Sequence, residues 1–178
     1  MRLPQEDFCQ ALGVPPHLKY ESDGGPGLAD LAAVLRGSER AQEDLTTLLT
    51  SQVLFWLLAA PDGHAKNLSI KLLAGGRYQL TPLYDVMSIW PIEGGGANQY
   101  ALHKARLAMA LLGKNKHYRF ADMQRRHFNS TAPRCFLRKD AEDVIERVLA
   151  RTAGAIDAVA ARVSIGFPQL MATPYLRR

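Results

Sequence analysis

Asp62, His64, Lys66 and Asn67 crowd into the eight-residue segment APDGHAKN, residues 60–67. A carboxylate, an imidazole, an ammonium and a side-chain amide in so short a run can move a proton, hold an anion or bind a hard cation. A second acid, Asp85, follows in LYDVMS, residues 83–88. Between them Leu68-Ser69-Ile70-Lys71-Leu72 alternates apolar and polar, Gly75-Gly76 supplies a turn, and Tyr78-Gln79-Leu80 returns. That is the pattern of a β-hairpin. Antiparallel pairing of 68–73 with 77–81 sets the start of the first strand beside the end of the second. Asn67 and Asp85 then meet at one mouth, with Asp62 beside them. Two carboxylates and an amide oxygen suit Mg²⁺, which takes oxygen ligands and shares them with substrate phosphates. His64 and Lys66 add hydrogen-bond donors and positive charge for the same phosphates.

Something must hold that mouth in place. The segment VLFWLLAA (53–60) is apolar on every face and ends a helix that Ser38 can cap, so it reads as the buried central helix. Its polar successor APDGHAKN marks where the backbone emerges from the core. Before it, a short helix is expected from Pro4 to Leu12, stopped by Gly13-Val14-Pro15-Pro16. A Gly- and Pro-rich loop through residues 21–26 follows, then a second helix from Gly27 to Arg36. After the hairpin, Gly94-Gly95-Gly96 marks a flexible loop. Further helices are expected at Lys104–Leu112, Ala121–Phe128 and Asp140–Val163, and Thr173-Pro174 begins a basic tail. The expected fold is mainly α with a small β-hairpin, in one domain over residues 1–178.

The 178 residues hold 22 Lys and Arg against 17 Asp and Glu, with 47% hydrophobic residues. The apolar content is too high for a disordered chain, and the excess of five positive charges permits an anionic partner without selecting one. Cys9 and Cys135 form no ligand-like cluster, which rules out a disulfide-stapled scaffold and a cysteine zinc site. The longest apolar run, 53–61, is far shorter than the roughly 20 residues a bilayer demands, and MRLPQEDFCQ lacks the apolar core of a secretory signal. A soluble, cytoplasmic protein with no membrane association is expected.

The order Asp62, four residues, Asn67, hairpin, Asp85 resembles the protein-kinase catalytic loop and its metal-binding Asp. Ala60-Pro61 stand where His-Arg would precede the first Asp, and Val86-Met87 where Phe-Gly would follow the second. The segments RLPQEDFCQALG, KYESDGGPG, FWLLAAPDGHAKNLSI and LTPLYDVMSIWP are similar to those of HipA, the serine/threonine kinase toxins of HipBA toxin–antitoxin modules. The resemblance runs from about Arg2 to about Arg138. It implies a protein-kinase-like C-terminal lobe of HipA type, ATP and Mg²⁺ as ligands, glutamyl-tRNA synthetase as protein substrate, and a DNA-binding HipB-like antitoxin as partner. DNA would be met only through that antitoxin. Carried over by position, Asp62 is the catalytic base and Asn67 and Asp85 hold the metal. His64, Lys66 and Tyr84 neighbour the nucleotide, and Gln5 contacts it from the other side.

The resemblance also implies a Gly-rich phosphate loop, a strand lysine and a hinge. No GxGxxG or GxxxxGK occurs in the sequence, so the chain reads as the C-terminal lobe alone. The alternative is a non-catalytic HipA-like fragment that binds a HipB-like antitoxin without turning over ATP. Local chemistry supplies blander readings: Asp62-Gly63 as a turn, His64 as a satisfied loop histidine, Trp90 as an anchor under the loop. The basic stretch KNKHYRF (114–120), with Arg125-Arg126 and Arg138-Lys139, reads as a solvated or antitoxin-binding face rather than a nucleic-acid site.

Overall fold

The computed structural model describes residues 4–164 and 166–168. Gln5–Asp7 form strand β1, and the chain turns directly into the short helix α1, Phe8–Ala11. The expected helix from Pro4 to Leu12 therefore loses its first turn to a strand. The hairpin of β2 (Ser69–Leu72) and β3 (Tyr78–Leu80) has a free edge, and β1 fills it antiparallel, with Gln5 opposite Lys71 and Asp7 opposite Ser69. Asp7 ends the strand as the N-cap of α1. Its carboxylate accepts from the Gln10 amide at 2.9 Å while the Gln10 side chain accepts from the Asp7 amide at 2.9 Å. This reciprocal capping box starts the helix at Phe8 rather than at Pro4.

Helix α2 spans Leu28–Leu35 and α3 spans Ala41–Leu57. Leu31, Leu35, Leu48 and Leu49 are essentially inaccessible and join Phe8, Leu68 and Phe128 in one core. Ser38 does not cap α3 as expected; Arg40 holds that position. The Ser38 hydroxyl instead donates to the buried Asp44 carboxylate and accepts from the Arg40 amide at 3.1 Å. Asp44 Oδ2 also accepts from the Leu80 amide at 2.9 Å, and Arg40 lies 3.5 Å from Oδ1. One carboxylate thus ties the start of the central helix to the last residue of β3. Asp44→Ala strands these donors in the core and should cost about 3 kcal/mol, read as a lowered midpoint in urea denaturation.

Residues 104–112 are not a helix. A single 3-10 turn at Leu102–Lys104 leads into strand β4, Arg106–Leu112, which pairs with β5, Lys116–Arg119, in a second, two-stranded sheet. RLAMALL has helix-forming residues, but six of its seven are buried, which no amphipathic surface helix allows. Tertiary partners complete the strand: the Ala110 amide donates to Glu21 Oε2 at 2.6 Å and the Leu112 amide to Thr131 Oγ1 at 2.7 Å. Most of the KNKHYRF stretch is therefore edge strand, and Lys116 is spent on Glu21 at 2.7 Å.

The helix expected at Ala121–Phe128 is a 3-10 turn at Phe120–Asp122 followed by α4, Arg125–Arg134. Helix α5 spans Glu142–Ala160, within the expected range, and packs its Val144, Ile145 and Val148 face towards α3. The expected tail at Thr173-Pro174 lies outside the described residues. Among the described residues no helix is long and apolar enough to cross a membrane.

At the start of α4 the Gln124 amide donates to His127 Nδ1 at 3.2 Å, which requires that nitrogen to be unprotonated. Burial, then the stacked His117 ring, then Arg126 push the His127 pKa below its usual 6.5, against a weaker opposing pull from Asp122. The folded chain therefore binds fewer protons than the unfolded one as the pH falls past 6.5. Stability is full above that value and declines below it towards the folded pKa. Denaturation midpoints at pH 7.5 and 5.5 should show this loss. His127→Gln, which keeps a capping acceptor but cannot titrate, should make the loss smaller.

Candidate functional site

The central helix delivers the site by the way it ends. The Ala60 amide donates to Phe55 O at 2.8 Å and the Ala59 amide to Trp56 O at 3.2 Å, the paired bonds of a Schellman stop. Ala59 occupies the left-handed position at φ 46°, where glycine is usual, so the turn carries a side chain at a cost of about 1–2 kcal/mol. Two anchors hold it: the Ile89 amide donates to Ala59 O at 3.0 Å, and Trp90 Nε1 to Leu57 O at 2.9 Å. Trp90 is indeed the anchor beneath the loop. Gly63 then presses on the core, where a Cβ would come within 2.4 Å of the Phe55 ring. Asp62-Gly63 is thus a forced close approach and not an interchangeable surface turn.

The loop closes on itself. The His64 amide donates to Asp62 O at 2.9 Å, the Asn67 amide to His64 O at 2.9 Å, and Asn67 Nδ2 to Asp62 O at 2.8 Å. With its nitrogen committed, the buried Asn67 side chain keeps Oδ1 as its acceptor. Tyr84 returns across the hairpin and donates to Lys66 O at 2.7 Å, with Ser69 Oγ 2.6 Å from the same hydroxyl. This brings Asp85 over the loop. Asp85 is exposed, takes a left-handed φ of 53°, and its charge reaches both His64 and Tyr84. The hairpin thus gathers Asp62, His64, Asn67, Tyr84 and Asp85 at one end.

The remaining two candidates sit differently. Lys66 Nζ lies 3.3 Å from Asp7 Oδ2, so its charge is held by β1. Gln5 is exposed at the far end of β1, opposite Lys71, on a strand and not on the helix expected there. His64 is 3% exposed, with Nε2 3.6 Å from Asp62 Oδ1 and Nδ1 buried with no hydrogen-bond partner among the described residues. Burial pushes its pKa down, outweighing the pull of Asp62, so the ring is neutral at pH 7. It is a hydrogen-bonding group, not a source of charge.

Sequence reasoning missed Tyr20. Its hydroxyl donates to Asp62 Oδ1, and its ring meets His64 edge-on at 5.1 Å between centroids. The only signal was its place in KYESDGGPG; nothing local shows that it reaches a residue 42 positions away.

Among the described residues no group of three or more His, Cys, Asp or Glu could hold a metal by itself. The donor set, one carboxylate from Asp85 and the Asn67 amide oxygen, would fit only an ion that completes its shell with phosphates and water. It does not fit an all-protein cage.

The family of the HipA-like C-terminal domain matches residues 1–156. The chain belongs to that family. This HipA-like chain is 44% identical over 88 residues to a protein of Sinorhizobium fredii named "Putative kinase Y4mE", a match spanning 49% of this chain and 21% of that protein. Its fold matches that of Shewanella oneidensis MR-1 HipA, solved in a toxin–antitoxin complex of HipA, HipB and operator DNA, with a TM-score of 0.81 at 18% identity. That match covers 99% of this chain and 43% of the HipA chain, so the HipA-like chain spans less than half the length of its structural relative. The fold is thus mainly α with small antiparallel sheets, of the HipA C-terminal lobe type.

Proposed function

We propose that the chain carries the catalytic-base and metal-binding half of a HipA-type serine/threonine-protein kinase of a HipBA-like toxin–antitoxin module. The reaction would be transfer of the γ-phosphate of ATP to a protein hydroxyl, with glutamyl-tRNA synthetase the first substrate to test. One observation carries the reading: Asp62 and Asn67 share a single self-bonded loop, and Tyr84 sets Asp85 across it through the bond to Lys66 O.

In this mechanism Asp62 accepts the proton of the substrate hydroxyl. Asn67 Oδ1 and the Asp85 carboxylate would hold Mg²⁺, which when bound neutralises charge on the β- and γ-phosphates of ATP. Tyr84 locks the hairpin to the loop through two hydrogen bonds. Neutral His64 offers Nδ1 as a hydrogen-bonding atom at the base of the site. Phosphoryl transfer depends mostly on positioning, and the loop supplies it for these groups.

The Lys66–Asp7 ion pair favours a second reading, because a lysine held by β1 brings little charge to a nucleotide. In that reading the chain binds a HipB-like antitoxin without turning over ATP. Calorimetric titration of ATP with and without Mg²⁺ separates the two. Saturable, magnesium-dependent binding supports the kinase half-site; antitoxin binding with no nucleotide heat supports the second reading.

A further inference from the structure

We infer that Tyr20 is a positioning residue for Asp62: its hydroxyl holds one carboxylate oxygen, Oδ1, and so reserves Oδ2 for the substrate hydroxyl. This rests on the kinase reading above. Oδ1 receives the Tyr20 hydroxyl and lies 3.6 Å from His64 Nε2, whereas Oδ2 has no hydrogen bond from the described residues. A carboxylate on a free χ2 axis would present either oxygen; one pinned at Oδ1 presents a defined second oxygen. In the transfer step the substrate hydroxyl gives its proton to Oδ2 and its oxygen bonds to the γ-phosphorus. The bond from that phosphorus to the bridging oxygen breaks, and its electron pair leaves with ADP.

The scaffold behind Tyr20 is built for a fixed reach. Tyr20 O accepts from the Gly25 amide at 2.9 Å, and a Cβ on Gly25 would lie 2.0 Å from Leu18 O. Next in sequence, the buried Glu21 is clamped by the Ala110 amide and Lys116. Gly27 makes room for that carboxylate, since a Cβ there would come within 2.6 Å of it. Burial first, and then the bond to Asp62, push the phenol pKa up to about 12, so at pH 7 the group is a donor.

The test compares the chain, Tyr20→Phe, Asp62→Asn and the double variant for γ-phosphoryl transfer from MgATP. The expected result is a roughly tenfold fall in kcat for Tyr20→Phe with KM for MgATP within twofold, and no further loss from Tyr20→Phe in the Asp62→Asn background. A merely structural tyrosine would cost activity equally in both backgrounds, which overturns the inference. So does an unchanged kcat in Tyr20→Phe when Asp62→Asn is inactive, and that result leaves the kinase reading standing. Asp62→Asn with full activity overturns both. Proton NMR of the chain supplies a readout independent of turnover: a slowly exchanging Tyr20 hydroxyl resonance, assigned by its loss in Tyr20→Phe, should shift or vanish in Asp62→Asn. A resonance that is absent, or unmoved in that variant, overturns the contact.

Discussion

Asp62→Asn is expected to lower γ-phosphoryl transfer by about a thousandfold, in the middle of the range that a general base supplies. The asparagine has the same shape, and its amide oxygen can still accept from Tyr20. The loop bonds also survive, because they use the Asp62 backbone carbonyl and not its carboxylate. The loss should therefore be confined to chemistry: transfer to a protein hydroxyl falls while MgATP affinity and the unfolding midpoint stay close to the parent values. A variant that keeps activity within tenfold would remove Asp62 from the role of base. A variant that unfolds would mean the carboxylate serves the fold, which its one-third exposure of 33% argues against.

The second large effect belongs to Asp85. Its φ of 53° is a region that L-residues avoid but that Asn and Asp tolerate better than most. Asp85→Asn hence keeps the backbone and removes only the negative charge that the proposed metal site would use. Magnesium-dependent ATP affinity should drop by about a hundredfold in calorimetry, roughly the loss of one charged ligand contact of 2–3 kcal/mol. Binding of ATP without magnesium should be unchanged or slightly improved, because an acid near the triphosphate has gone. Equal affinity in the two proteins with magnesium present would take Asp85 out of the metal site. Asp85→Ala is a poorer probe, since alanine at a left-handed φ adds about 1–2 kcal/mol of backbone strain to the loss of charge.

Much of this site was legible because hairpin chemistry is local. The alternation from Leu68 to Leu72 and the Gly75-Gly76 turn set the pairing, which brings Tyr84 back to Lys66, one residue before Asn67. The central helix was legible for a similar reason, as its apolar second half could only be core. The misreadings share one cause, partners far away in sequence. Gln5-Glu6-Asp7 carries acids that suit a first helical turn, yet the edge of β2, more than sixty residues on, takes it as a strand. The Asp7–Gln10 capping box was there to be read and would have moved the helix start to Phe8. RLAMALL looks helical by propensity and becomes β4 because Glu21 and Thr131 satisfy its outward amides. Tyr20 was invisible on the same ground, its partner being 42 residues distant.

The edge pairing of β1 also sets an order of events during synthesis. At 5–20 residues per second, the partner strand Ser69–Leu72 is made roughly 3–13 s after Gln5–Asp7. Until then those three residues have no partner strand to join. Closing a span of some sixty residues is also a slow step compared with forming the hairpin, whose strands are neighbours in sequence. The three-stranded sheet is therefore completed only when Ser69–Leu72 reaches back to Gln5–Asp7. On a ribosome, every copy of this protein passes through seconds in which α1, α2 and α3 can form while β1 has no strand to pair with.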